Sequence, residues 1–296
     1  MTISLPQPFR ADLGTPLTVV RDLPEIIRPV LVPTSPEWVG IGPFTVCDRA
    51  QSEVVENIVA GALGAPSRSQ AWVTYALHVG GLNARRNEPF VSAMTGADLV
   101  YADGMSVVML ARMAGATRIE RAGTTDIGWD VIARLSEELG RPARVALIGG
   151  PEGLTFRAGE VLAEKASAEI VLTDHGYHQD WAPVLEALTD AAPDLLFVGL
   201  GAPVEMTWVQ EHRDALPACA VMTCGGWFGF ITEAEKRAPE WARKSGLEWT
   251  FRLAQSPGRL WRRYATGMLS MIMLAVTMSV ARGGSASTDA QVIDLR

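Results

Sequence analysis

The sequence predicts an α/β protein: a mostly parallel sheet with helices on both faces, followed by a basic helical appendage. Three observations carry this. From about Val46, strand-like apolar runs alternate with stretches of helical period. Three of those runs end in glycines, at Gly149/Gly150, Gly199/Gly201 and Gly225/Gly226. Lys236–Arg263 carries eight Lys/Arg against two Glu in a chain of net charge −7. Alternation at this spacing builds βαβ crossovers, which make neighbouring strands parallel. Glycines at strand carboxyl ends let a ligand approach the backbone, at the rim where such sheets bind.

In order along the chain, residues 1–45 are Pro-rich and weakly periodic and read as an N-terminal arm. The catalytic-type α/β domain is expected over 46–235. It opens with helical SEVVENIVAGAL and a strand-like AWVTYA at 71–76. ADLVYADG at 97–104 reads as strand then turn, SVVMLARMAG and DIGWDVIARLSEELG as helices, and RVALIGG at 144–150 as a strand ending in Gly-Gly. Three more helix–strand pairs follow: helix 153–166 with EIVLTD, WAPVLEALTD with DLLFVGLG at 194–201, and helix 203–214 with ACAVMTCGG at 218–226. A basic and apolar, membrane-associating appendage is expected over 236–281, and a polar, mobile tail over 282–296.

With 296 residues, 48% hydrophobic and 20% charged, the chain has a sizeable core. Cys47, Cys219 and Cys224 are widely spaced without CxxC, which argues against a disulfide framework or zinc site and fits a reducing cytosol. The N-terminus shows no basic-then-apolar secretory pattern. The apolar run 265–281 sits at the short limit for a span of roughly 17–25 residues. It admits a buried amphiphile-docking helix, an in-plane membrane helix or a span. The basic segment contributes +6 to the total of −7, leaving −13 on the rest, which would repel a long polyanion; nucleic acid is not an expected partner. No GxGxxG fingerprint or Walker A sequence is present, so no nucleotide cofactor is expected.

Candidate site residues follow from position. Asp103 ends an apolar strand in YADGMSVV, a place for a general base or for a helix cap. Thr74 is expected to end another strand and offer its hydroxyl. In ERAGTTDIGWD, Arg121 either contacts phosphate or pairs with Glu120 or Asp126. His175 is compatible with the cleft, but no second His or Cys at ligand spacing supports a metal site; His78 and His178 read as ordinary polar residues. Ser256-Pro257-Gly258 reads as a helix start, placing Arg259, Arg262 and Arg263 on one helical face with Arg252 able to converge. Guanidinium forks match phosphate oxygens in pairs.

Together these residues resemble the bacterial WecG/TagA/CpsF glycosyltransferase family over about 46–263. The resemblance rests on Thr74, ADG at 102–104, the 120–126 stretch, IGG at 148–150, GLGAP at 199–203 and Gly225-Gly226 with Phe228. It continues through RAPEW at 237–241, GLEW.FRL at 246–253 and P.RLWRRY at 257–264. It implies a Rossmann-like fold and a metal-independent, inverting transfer from a UDP-sugar to an undecaprenyl-diphosphate-linked saccharide, at the cytoplasmic face of the bacterial inner membrane. Asp103 matches the family's base, and Arg252, Arg259 and Arg262 its acceptor-diphosphate arginines. Thr74, Arg121, Asp126, Gly149, Gly150, Gly201, Glu205, Gly225 and Gly226 fall on the donor side. A membrane surface and a homo-oligomer are further expected partners.

Five positions in three motifs depart from the family pattern. Ala76 replaces Asn, Gly201-Ala-Pro-Val-Glu-Met206 replaces Gly-x-Pro-Lys-Gln-Glu, and Phe228-Gly229-Phe230 replaces Phe-Asp-Phe. They leave the donor open between an N-acetylmannosamine type, a hexose and a uronic acid. The carboxylate gained at Glu205 is expected to make the cleft less welcoming to a diphosphate. The same departures admit a non-catalytic membrane-docking subunit of a polysaccharide assembly complex.

Overall fold

A computed structural model describes residues 37–166, 168–234, 248–255, 258, 261, 265–267 and 269–277. A six-stranded, all-parallel sheet is its centre. The strands are β3 (Trp72–Leu77), β4 (Leu99–Ala102), β5 (Ala143–Gly149), β6 (Ala168–Asp174), β7 (Leu195–Gly199) and β8 (Ala220–Thr223), in the spatial order β4-β3-β8-β7-β5-β6. The expected mostly parallel sheet with helices on both faces is the observed architecture. β7, LLFVG, shows why: buried on both sides, it is apolar throughout, with Leu196 and Val198 in one core and Leu195 and Phe197 in the other.

One face is covered by α1 (Gln51–Arg68), α5 (Thr124–Leu139), α6 (Leu154–Lys165) and α9 (Trp227–Ile231). On it, Trp227 packs edge-on to Trp129 with ring centroids 6.0 Å apart. The other face carries α2 (Val79–Asn83), α3 (Glu88–Thr95), α4 (Met105–Met113), α7 (Ala182–Ala191) and α8 (Val204–His212). The crossover from β4 to β5 passes three intervening strands, and α4 and α5 supply its length.

The arm expected to reach residue 45 gives way earlier. β1 (Trp38–Ile41) and β2 (Phe44–Cys47) pair antiparallel as a hairpin. Val39, Ile41, Phe44 and Val46 are buried in the core shared with α4. A strong local anchor fixes this hairpin. Directly after β2, Asp48 is 5% exposed, and its carboxylate accepts the backbone N–H groups of Thr117, Arg118 and Ile119 at 2.9, 2.9 and 2.7 Å. One buried side chain thereby holds the α4–α5 loop that leads into Arg121. The sheet's amino ends are closed by carboxylates as well. Asp98 accepts Val73 N–H, and Asp194 accepts Arg144 N–H while meeting Arg141 in a two-pronged pair.

The three cysteines are free and buried. Burial pushes the Cys47 and Cys219 thiols up to about 12 and the Cys224 thiol well above its usual value. In the apolar run, the described residues 265–267 and 269–277 are helical. Ser270 and Leu274 are buried, Met271 and Ala275 pack on the core, and Leu274 rests on the hairpin turn at Gly42. One face of this helix is thus held on the domain. No helix among them is long and apolar enough to cross a membrane. Most of the basic segment lies outside the described residues, including the Ser256-Pro257 helix start, Arg259 and Arg262. Arg252 falls in α10 (Glu248–Gln255), but its side chain is not among those described.

Asp48→Ala removes the acceptor of three N–H donors at once, that of Ile119 among them buried. It is expected to lower unfolding free energy by about 3 kcal/mol or more, since a hydrogen bond to a charged group is worth about 1.5–3 kcal/mol. Urea denaturation followed by circular dichroism measures this. A loss under about 1 kcal/mol would show that the loop is held by other contacts.

Candidate active site

In a parallel sheet every strand delivers its carboxyl end to the same rim, where Asp103, Arg121 and the glycine turns stand. Asp103 follows β4 directly, its N–H donating to Leu77 O at 2.8 Å. Gly104 begins α4 with φ +115°, and Gly123 precedes α5. Ala122 N–H reaches back to Ala102 O at 2.8 Å, which brings the start of α5 beside the end of β4. Two helix N-termini therefore flank Asp103, and their partial positive charge favours an anion between them.

Gly123 makes this corner possible through size alone. A Cβ there would stand 2.9 Å from both Asp103 Oδ1 and Arg121 Nη2. The carboxylate and the guanidinium thus border one small space. Arg121 also bridges to Asp126 Oδ2 at 2.9 Å, with both side chains about one-fifth exposed. The pairing left open by the sequence is therefore real, and Arg121 still borders Asp103. Beneath them the buried hydroxyls of Tyr101 and Thr124 meet at 2.7 Å, and Thr124 Oγ1 donates to Thr223 O at 3.2 Å. Burial pushes the Tyr101 phenol far above its usual value, so this relay is a neutral strut under α5.

Thr74 does not end its strand. β3 continues to Leu77, leaving Thr74 in mid-strand, 0% exposed, with its Oγ1 unmatched by any hydrogen-bond partner. The residue that leaves β3 at the rim is His78, which reads in the sequence as an ordinary polar residue. It caps α2, with Nδ1 accepting Gly80 N–H at 2.9 Å. Beside it, a cavity of about 320 Å³ is lined by Gly80, Asn83, Ala84, Ala202 and Pro203. Ala76, one of the departures, is buried.

The glycine turns are tightly built, and their backbone donors are committed. Gly149 has φ +139°, and a side chain there would run into the Gly199 carbonyl. Gly150 N–H donates to that same carbonyl at 3.2 Å, and Gly176 N–H donates to Gly150 O at 2.9 Å. Glu205 takes the next two. It is 2% exposed, and its Oε2 accepts Gly201 N–H at 2.9 Å and Gly225 N–H at 3.1 Å. The expectation of a carboxylate facing a bound diphosphate is therefore corrected: Glu205 points inward and ties the turn after β7 to the turn after β8. A single oxygen does this, and the amide of the Gln in the family pattern also has one. Gly226 is exposed at the start of α9. Val204, where the pattern has Lys, is 55% exposed in the first turn of α8.

At the far edge of the rim, the structure assembles a group that sequence spacing had not suggested. Possible ligand atoms of Asp174, His175 and His178 lie within 4.8 Å of one another. His178 Nε2 meets Asp174 Oδ1 at 3.0 Å, and the two imidazoles stack at 4.0 Å and 8°. Ring lone pairs lie in the ring plane, and two nearly parallel planes cannot both contain one ion. As arranged, these imidazoles stack on each other, and His178 meets Trp181 edge-on in an aromatic cluster that continues to Trp208 and His212.

Comparison with known proteins agrees with this geometry. Residues 42–284 match the model of a family described as "Glycosyl transferase WecG/TagA/CpsF family". The chain is 28% identical over 184 residues to the N-acetylglucosaminyldiphosphoundecaprenol N-acetyl-beta-D-mannosaminyltransferase of Bacillus spizizenii, covering 62% of this chain and 70% of that protein. It is 26% identical over 197 residues to the protein of the same name from Bacillus subtilis, covering 66% and 73% respectively. A match that begins at the hairpin turn and takes in every rim element carrying Asp103, Arg121, Glu205 and the paired glycine turns places this chain in the WecG/TagA/CpsF family of glycosyltransferases.

Proposed function

We propose that this enzyme transfers a sugar from a UDP-sugar to a saccharide carried on undecaprenyl diphosphate, with inversion at the anomeric carbon and without a metal ion. The observation that carries the reading is the corner where Asp103 Oδ1 and Arg121 Nη2 flank Gly123 between two helix N-termini. The named relatives act on a diphosphoundecaprenol-linked sugar, which supports a lipid-linked acceptor here.

In this mechanism Asp103 takes the proton of the acceptor hydroxyl as that oxygen attacks the anomeric carbon. The bond from that carbon to the UDP oxygen breaks on the opposite face, and UDP leaves with the electron pair. The N–H groups of Gly150, Gly201 and Gly225 are engaged within the protein, so they are not the donors that meet the leaving charge. That role falls to Arg121 and the start of α5. Arg252, Arg259 and Arg262 hold the acceptor's diphosphate, and the appendage keeps the enzyme peripheral at the cytoplasmic face of the membrane. The exposed Val204 removes a rim cation from the donor side, where the sugar identity is decided.

Asp103→Asn is expected to fold normally and lose at least about 10²-fold in turnover. The assay is sugar transfer to a lipid-diphosphate acceptor across a panel of UDP-sugars, read by mass spectrometry; near-normal turnover would remove Asp103 as base. Gly123→Ala presses a methyl group only against the flexible ends of Asp103 and Arg121. It should cost little stability yet lower kcat at least about tenfold, and unchanged kcat would show that the corner is not where reaction occurs. Glu205→Gln keeps the accepting oxygen and should change stability by under about 1 kcal/mol, whereas Glu205→Ala should cost about 2–3 kcal/mol. Equal losses in thermal denaturation would contradict the strut. Activity should survive exhaustive chelation with EDTA, and loss restored by a divalent ion would overturn the metal-independent mechanism.

A further inference from the structure

The long helices α5 and α6 carry charge outward, whereas α4 turns mainly methionine outward. On α5 the exposed positions include Asp130, Glu137 and Glu138, and on α6 they include Arg157, Glu160, Glu164 and Lys165. On α4 the exposed side chains are Met105, Met109, Arg112 and Met113. The three methionines, at i, i+4 and i+8, are 38%, 54% and 39% exposed and form one stripe. Methionine is the side chain best able to reshape itself against a disordered apolar partner.

A second outward apolar face lies on the same side of the sheet. The helix over 269–277 contains no charged residue and turns Leu269, Ile272, Met273 and Val276 outward, each more than two-fifths exposed. Its other face is fastened to the domain. Arg85 Nη1 donates to Ser270 Oγ at 2.7 Å, Asn83 Nδ2 donates to Thr266 Oγ1 at 3.2 Å, and Leu274 sits on Gly42. The β1–β2 hairpin lies in one core with both helices, with α4 packed on β1 and Leu274 on the turn. Exposed Arg86 and Arg112 belong to this side. Apolar side chains with neighbouring cations match the boundary between acyl chains and anionic headgroups.

We propose that the side of the molecule formed by α4, the hairpin and the 269–277 helix rests on an anionic lipid surface. This goes beyond the membrane association assigned to the basic appendage. It rests on that reading only in requiring a bilayer at all, and it sets the orientation. α4 starts two residues after Asp103, so a bilayer touching its methionines lies next to the carboxylate that receives the lipid-linked acceptor.

Single-cysteine probes test the orientation. The native thiols are buried, so a label goes to an introduced cysteine. Met109→Cys, Ile272→Cys and, on the opposite face, Glu160→Cys are each labelled with an environment-sensitive dye and mixed with phosphatidylglycerol–phosphatidylcholine vesicles. The expected result is a blue shift at 109 and 272 but not at 160. The pair Met109→Glu and Met113→Glu should also reduce vesicle-bound protein at least about tenfold without moving the thermal midpoint. Binding that shifts the 272 probe but leaves 109 in water overturns the inference and leaves both the transfer reaction and appendage docking standing. A shift at 109 that appears without vesicles as protein concentration rises assigns the face to a second copy of the chain and also overturns it. Absence of vesicle binding overturns the inference together with the peripheral-membrane part of the proposed function.

Discussion

The whole molecule answers to one constraint: six strands point the same way, so six chain exits crowd onto a single rim. Each exit must reverse direction within a few residues and satisfy its backbone donors where neighbours are close. The rim meets this in two ways. Gly149 dispenses with a side chain so that the turn after β5 can lie against the Gly199 carbonyl. Glu205 sends a carboxylate up from the first turn of α8 to collect two N–H groups from adjacent turns. The result is a rigid platform in which the peptide groups mostly bind one another.

That internal satisfaction shapes the chemistry left over. In the proposed reaction, side chains and helix ends meet the phosphate charge, because the N–H groups of Gly150, Gly201 and Gly225 are engaged within the protein. The corner at Asp103 is where these come together, and its position depends on residues well away from it. Asp48 clamps the loop leading into Arg121, and the Tyr101–Thr124 pair props the start of α5 from below. The Asp103 carboxylate and the Arg121 guanidinium therefore sit on separately supported segments that border the same space at Gly123.

Much of the fold was legible because parallel strands are buried on both faces and read as continuous apolar runs bounded by glycine. Asp103 was legible for the same reason, as a carboxylate at the end of such a run. The hairpin was obscured by its short strands and by the Pro-rich stretch before them. Thr74 was misplaced because β3 runs on through Leu77, and with it the rim position passed to His78. Glu205 is the instructive case. Its sequence context marks the site, but whether a carboxylate faces the ligand or the protein depends on Gly225, twenty residues away. The stacking of His175 and His178 into Trp181 and Trp208 was equally hidden, since neither spacing nor composition brings α8 against the loop after β6.

The contact between Leu274 and Gly42 also bears on how the chain is made. The hairpin belongs to the first described segment, yet part of its covering comes from a helix that follows all six sheet strands in the chain. While the polypeptide is still emerging from the ribosome, the apolar patch around Gly42 and α2 has no native partner, although the central sheet already has all six strands. The nascent protein therefore passes through a stage in which its platform is assembled but its closing helix is missing.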